Sequence, residues 1–183
     1  TLFRSTENTP FTTPSDENIS EAGPLAVCLA YVYVAVGSSC DVTLTPEMID
    51  GGSSDDDGDP LTFSLDNPGP YIPGVYTVFL TVSDGSSTNQ CWTTITVEDK
   101  TAPTAICLNG LSVGLGSDGT VEIFSEDLDG GSFDNCTSGL NYSGGDVTFS
   151  CADVGDTFEL TLTVEDEYGN TNSCFTEVNV SDP

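Results

Sequence analysis

Histidine is absent from this 183-residue chain, and only Arg4 and Lys100 carry a positive charge. Without histidine no histidine-dependent triad can be built, and with no Cys-x-x-Cys pair the usual zinc signatures fail as well. Against the two cations stand 30 Asp and Glu residues, a formal charge of -28. Nucleic acid is thereby excluded as a partner, because phosphate binding needs a Lys/Arg patch. Anionic membrane surfaces repel such a chain, and no apolar run reaches the length that spans a bilayer. Sustained helical periodicity is missing too.

What is present suits a small all-β protein. A hydrophobic fraction of 37%, with nine Phe and six Tyr, suffices for modest cores. Self-repulsion at this charge destabilises a compact fold unless salt or bound cations relieve it, so divalent cations or saline surroundings are expected. Seven cysteines in a Thr-, Ser- and Gly-rich chain point to an oxidising compartment, outside the cell or on its surface. A start at Thr1 rather than Met reads as a processed, mature form.

The chain repeats itself at a shift of 79 residues. Gly23-Pro24-Leu25-Ala26-Val27-Cys28 aligns with Ala102-Pro103-Thr104-Ala105-Ile106-Cys107, and Ile49-Asp50-Gly51-Gly52-Ser53 with Leu128-Asp129-Gly130-Gly131-Ser132. Further on, Thr81-Val82-Ser83-Asp84 matches Thr163-Val164-Glu165-Asp166, and Cys91 matches Cys174. Period-two runs such as residues 77–82 and 157–164 are bounded by Asp, Gly and Asn, as strands are. The expected fold is all-β, two tandem Ig-like β-sandwich domains over residues 22–99 and 100–183. Residues 1–21, polar and Pro/Thr-rich, form an extended N-terminal segment with isolated Leu2, Phe3 and Phe11, too few to bury a core. The join, residues 97–103, is short and holds one proline, hence stiff.

Two sets of residues carry a family resemblance. Residues 54–63 (SDDDGDPLTF) followed by 74–85 (GVYTVFLTVSDG) resemble the PKD-type Ig-like repeat. Residues 99–107 (DKTAPTAIC), with Asp134-Asn135-Cys136 and 163–170 (TVEDEYGN), are similar to HYR-like repeats. Such repeats occur in secreted surface proteins, notably of Bacteroidetes-type bacteria. The resemblance spans residues 22–183 and implies extracellular spacing or adhesion, often with calcium; it implies little about activity, because these modules serve adhesins, stalks and enzyme appendages alike.

Calcium takes six to eight oxygens from loops that can bend. Asp50, Asp55, Asp57 and Asp59 offer carboxylates in one glycine-rich loop, with Asp84 on a neighbouring turn. Their spacing mimics the start of an EF-hand, but Pro60 stands where that loop needs Gly, so an EF-hand is rejected. The corresponding set in the second unit is Asp127, Asp129, Asp134, Asn135 and Asp166, and Glu98 with Asp99 adds candidates at the join. The plain alternative is a set of solvated turns, since Asp and Gly are ordinary turn residues.

Cysteine spacing alone leaves three connectivities open in the second unit. Because the first unit lacks counterparts of both Cys136 and Cys151, those two are expected to pair, giving Cys28–Cys91, Cys107–Cys174 and Cys136–Cys151 as preferred bridges. Cys40 is then left as a buried thiol or a link to another chain. A strand over residues 27–36 (VCLAYVYVAV) is apolar on both faces, which a sheet open to water does not need. Leu29, Tyr31 and Tyr33 therefore await cover, by the chain's own tail or a loop, or by another subunit.

Asp and Glu cluster in turns rather than across a cleft, and no catalytic set stands out, so no enzyme is expected. The sequons at Asn18, Asn135, Asn141 and Asn179 permit glycosylation where a host reads them. Three readings follow. The first is a structural subunit that self-associates into a fibre, residues near Leu2 to Thr13 adding a strand to a neighbour. The second is a spacer within a larger adhesin that meets a glycan or cell-surface target, and the third is an appendage of a secreted hydrolase.

Overall fold

The computed structural model describes residues 23–182; Leu2, Phe3 and Phe11, assigned above to a donor strand, lie outside them. The described chain is all-β and built twice on one plan. In the first unit the strands are β1 (Tyr31–Ala35), β2 (Thr62–Leu65), β3 (Gly74–Ser83) and β4 (Thr88–Glu98). They form one sheet in the order β1-β4-β3-β2, with β1 parallel to β4 and the other pairs antiparallel. In the second unit β5 (Leu111–Gly114), β7 (Asn141–Ser143), β9 (Thr157–Glu165) and β10 (Thr171–Ser181) repeat this as β5-β10-β9-β7. There β6 (Thr120–Ile123) and β8 (Val147–Ser150) pair in the opposite layer. The first unit has in that place the single bridge Val42↔Tyr71.

Alternation in the long strands builds the cores. Val78, Leu80 and Val82 of β3 and Ile95 and Val97 of β4 turn inward onto Leu44, Ile49 and Tyr71. Leu162, Val164, Val178 and Val180 do the same against Ile123, Leu128 and Phe149. Each such side chain contributes about 1.5–3 kcal/mol by leaving water. Bridges Cys28–Cys91 and Cys107–Cys174, both with Cα atoms 5.7 Å apart, tie one layer to the other at matching points.

Two expectations are corrected. Cys136 bonds Cys40 of the first unit, not Cys151, which is an exposed free thiol. The reason is position. The loop holding Cys136 meets the first unit, whereas Cys151 lies against Gly119 O, on the turn that follows Leu115, itself bonded to Ser181 O where the chain leaves. Cys136 and Cys151 thus sit at opposite ends of their unit, and Cys40 is neither a free thiol nor an external link. The second correction concerns the strand over residues 27–36. It is two pieces: Leu25 and Cys28 bridge Ser54 and Asp50 in one layer, and after Leu29 and Ala30 the chain crosses to join β4 as β1. Ala30 is exposed at that crossing.

Candidate cation site at the junction

Inward-facing positions of β4 run Thr93, Ile95, Val97, and the next in register is Asp99. Strand alternation thus drives a carboxylate to a position built for an apolar side chain, and Asp99 is 3% exposed. Its Oδ1 accepts the Thr101 backbone N–H at 2.9 Å, while its Oδ2 has no hydrogen-bond partner. Across the junction the Asp134–Cys136 loop is drawn onto the first unit by the Cys40 bridge, and Cys136 packs against that unit's core. Asp134 Oδ1 accepts the N–H groups of Cys136 and Thr137 at 2.8 and 3.1 Å, and Asp134 Oδ2 is left unpartnered. Asn135 Nδ2 donates to Gly37 O at 3.3 Å, leaving Asn135 Oδ1 unpartnered as well.

Three buried acceptor oxygens without donors therefore gather where the units meet. Ligand atoms of Asp99, Asp134 and Cys136 lie within 4.8 Å of one another. Cys136 is spent in a disulfide and offers no thiolate, so the usable donors are oxygens, which suit a hard cation rather than zinc. Nearby charge points the same way. The Tyr168 hydroxyl is pushed above its usual pKa, by burial first and then by Glu167, Asp99 and Asp166. Lys100 is engaged with Glu98 at 3.2 Å, the only ion pair among the described residues. An unpaired buried carboxylate costs several kcal/mol, which a bound cation offsets. A cleft of about 380 Å³, lined by Val36, Gly37, Thr101, Phe133, Asp134 and Asn135 but not by Asp99, lies at the same junction.

The other carboxylates expected as ligands are mostly committed to the backbone. Asp166 is buried, but its two oxygens accept from Tyr168 N, Asn170 N and Asn170 Nδ2 at 2.8–2.9 Å. Asp127 Oδ2 accepts the Phe124 N–H at 2.9 Å, and Asp129 accepts Ser132 N at 2.9 Å and the Tyr142 hydroxyl at 3.5 Å. Asp50 holds Ser53 N at 3.0 Å; burial raises its pKa, but the Ser53 hydroxyl and loop amides prevail and lower it. Asp84 accepts four hydrogen bonds from Ser86 and Ser87, and the Ser87 backbone N–H above all holds its pKa down to about 2.

The acidic loop of the first unit is a looser group. Asp55 Oδ1 accepts from Asp57 N and Asp59 N at 3.2 and 3.3 Å, and its Oδ2 is unpartnered. The neighbouring Asp57 carboxyl lowers the pKa of Asp55 and has its own pKa raised by Asp55, and Asp84 lies close enough to oppose the first shift. Two features escaped the sequence reading. Cys40 as an inter-unit link had one signal, the odd count of three cysteines in one unit and four in the other. Exposed Trp92, Phe79 and Val75, which share the outer sheet face with Tyr31 and Tyr33, alternate in register with core residues and were legible only as strand.

No family model and no curated protein matches the chain. Among solved structures, human protocadherin-24 EC1-2 is 16% identical, with 89% of this chain and 99% of that one covered at a TM-score of 0.44. Sidekick-1 immunoglobulin domains 1-5 are 11% identical over 87% of this chain and 39% of that one (TM-score 0.45). The endo-fucoidan hydrolase MfFcnA4 (H294Q) is 17% identical over 94% and 30%, at 0.33. Likenesses this low assign neither family nor activity.

Proposed function

We propose that this chain is an extracellular structural subunit: a stiff pair of sandwiches, stapled by disulfides and by calcium at the join, that assembles into a fibre. The observation that carries the reading is the junction, where the Cys40–Cys136 bridge crosses between units beside the unpartnered oxygens of Asp99, Asp134 and Asn135. A covalent tie together with an ion site at one join resists bending, a property useful to a load-bearing rod. Asp99, Asp134 and Asn135 would hold the calcium, with water or carbonyl oxygens completing six to eight ligands. Three disulfides suit an oxidising, extracellular setting. Asp50, Asp84, Asp127, Asp129 and Asp166 are committed to turns, and we assign the chain no catalytic role. Growth of the fibre is assigned to residues 1–13, whose Leu2, Phe3 and Phe11 would fill a neighbour's sheet edge.

Calcium is tested by thermal unfolding of the EDTA-stripped chain. At a calcium concentration of about 100 times Kd, stability rises by about 2.7 kcal/mol, or roughly 5–10 °C in Tm for a chain of this size. Asp99→Asn together with Asp134→Asn removes that rise; an equal rise in the double variant would sink the assignment. The fibre is tested by electron microscopy of the intact chain and of one lacking residues 1–13. Filaments only from the intact chain support it. Monodisperse rods from both favour the alternative, a spacer within a larger adhesin, which the same stiff join would serve.

A further inference from the structure

One face of the first unit departs from the acidic surface around it. Register brings Tyr31, Thr94 and Thr77 into one row across β1, β4 and β3, and Tyr33, Thr96 and Val75 into the next. Trp92 and Phe79 are paired in the row before. Their side chains turn away from the core: Tyr31 is 71% exposed, Tyr33 70%, Val75 69%, Trp92 60% and Phe79 41%. Within β1, β4 and β3 no charged residue stands in these three rows; the one carboxylate at their margin is Asp66, which follows β2 and accepts the Phe79 N–H at 3.0 Å.

The second unit supplies the control. Cys174 and Leu162 are its counterparts of Cys91 and Leu80, each pair directly opposed across the two long strands. Counting from them, Trp92 and Phe79 correspond to Phe175 and Thr161, and the Thr94–Thr77 pair to the Glu177–Glu159 pair. On the edge strand Tyr31 and Tyr33 correspond to Gly110 and Ser112. Apart from Phe175, exposed as Trp92 is, the same scaffold thus carries charged and small residues where the first unit carries Tyr31, Tyr33, Phe79 and threonines. Folding does not require Tyr31, Tyr33 or Phe79 to be aromatic.

We propose that this face pairs with the same face of a second copy, a two-fold lateral contact between rods. The four aromatic side chains, at 150–250 Å² each, leave on the order of 500 Å² bare. That lies at the upper end of what a monomer exposes, and with Val75 and the threonine methyls it approaches the ~800 Å² per side of a standard interface. Charge selects the occupant. Two chains at -28 repel least where the facing surfaces carry no charge, so a side-by-side contact between copies is favoured here. A face meeting its own copy by two-fold symmetry needs no complementary charge, whereas a cationic partner would dock on the acidic surface. Tyr and Trp are also the residues that dominate binding when centrally buried.

The inference rests on the self-association reading but uses a different surface: residues 1–13 lengthen the fibre, and this face joins fibres side by side. Sedimentation velocity on the full chain tests it. A dimer is expected at tens of micromolar, and it tightens with added NaCl as repulsion is screened; a contact between opposite charges would weaken. Thr77→Glu with Thr94→Glu installs the glutamate pair that the second unit already carries. It should weaken the dimer by roughly tenfold or more, through buried like charges, and leave the fold intact with Tm lowered by only a few degrees, about the cost of one opposed like-charge pair. Tyr31→Ser with Tyr33→Ser should do the same by loss of contact area. A chain that stays monomeric at these concentrations, or a dimer indifferent to both variants, overturns the proposal. Deleting residues 1–13 separates the two readings. The dimer survives it if the face is right, whether or not filaments ever form. Filaments that persist as single strands in the glutamate variant speak for the tail alone.

Discussion

The two units share their scaffold and differ at the places where they touch other things. Both carry the layer-to-layer disulfide, the Gly-Gly-Ser loop closed by an aspartate, and a first strand parallel to the last. They part at two turns. The first unit has Cys40, at φ 58, where the second has Gly119, at φ 77. Left-handed backbone costs a residue with a Cβ about 1 kcal/mol that glycine does not incur; Cys40 offsets it by bonding Cys136. In turn, the second unit has Cys136 where the first has Asp57 of the acidic loop. The lesson is a division of labour. Shared residues hold each sandwich, and divergent ones hold the sandwiches to each other or to something outside.

That division is broken most severely at the cysteines. Replacing Cys28 with Cys91, or Cys107 with Cys174, by alanine should cost the affected unit about 2–4 kcal/mol, because each closes a loop of more than 60 residues in a small core. For a unit of this size that is roughly 10–20 °C in Tm. Cys40→Ser with Cys136→Ser should behave differently. Each unit keeps its own core, and calorimetry should show one transition separating into two. A single transition shifted as far as in the first pair would mean that the inter-unit bridge supports a core, and the division would fail.

A smaller effect sharpens the shared half of the comparison. A Cβ on Gly51 would come 2.9 Å from the backbone carbon of Cys28, and one on Gly130 equally close to that of Cys107. Backbone cannot step aside as a side chain can, so Gly51→Ala and Gly130→Ala should each destabilise their own unit by about 1–3 kcal/mol. Denaturant unfolding would measure both. Unequal costs would show that the loops only look alike.

How far these features could be read from the residues depends on the range of the interaction behind them. Alternation in residues 77–82 and 157–164 is local, and it led correctly to all-β sandwiches. The break at Leu29–Ala30 was hidden, because an unbroken apolar run cannot report that its backbone changes layers. Pairing Cys136 with Cys151 failed because absence from the other unit is a statement about sequence, while bonding follows which end of the sandwich each residue occupies. Asp99 and Asp134 were recognised as oxygen donors by type. That their Oδ2 atoms lack partners, while Asp166 of the same type is saturated, depends on packing across the join.

The mildest prediction concerns two matching turns. Asp84 and Asp166 occupy equivalent positions and both accept backbone N–H groups, but Asp166 is buried and Asp84 reaches water. The Asp84 carboxyl, held at a pKa of about 2 chiefly by the Ser87 N–H, lies below the unfolded value near 3.9. A depressed carboxyl stabilises the fold fully above its unfolded pKa and loses that contribution as pH falls through the folded one. Asp84→Ala should therefore lower the Tm of the first unit at pH 6, and the gap to the unaltered chain should close between about pH 4 and pH 2. Melting curves across that window decide it. A gap independent of pH would mean that the turn depends on the side chain's shape rather than its charge.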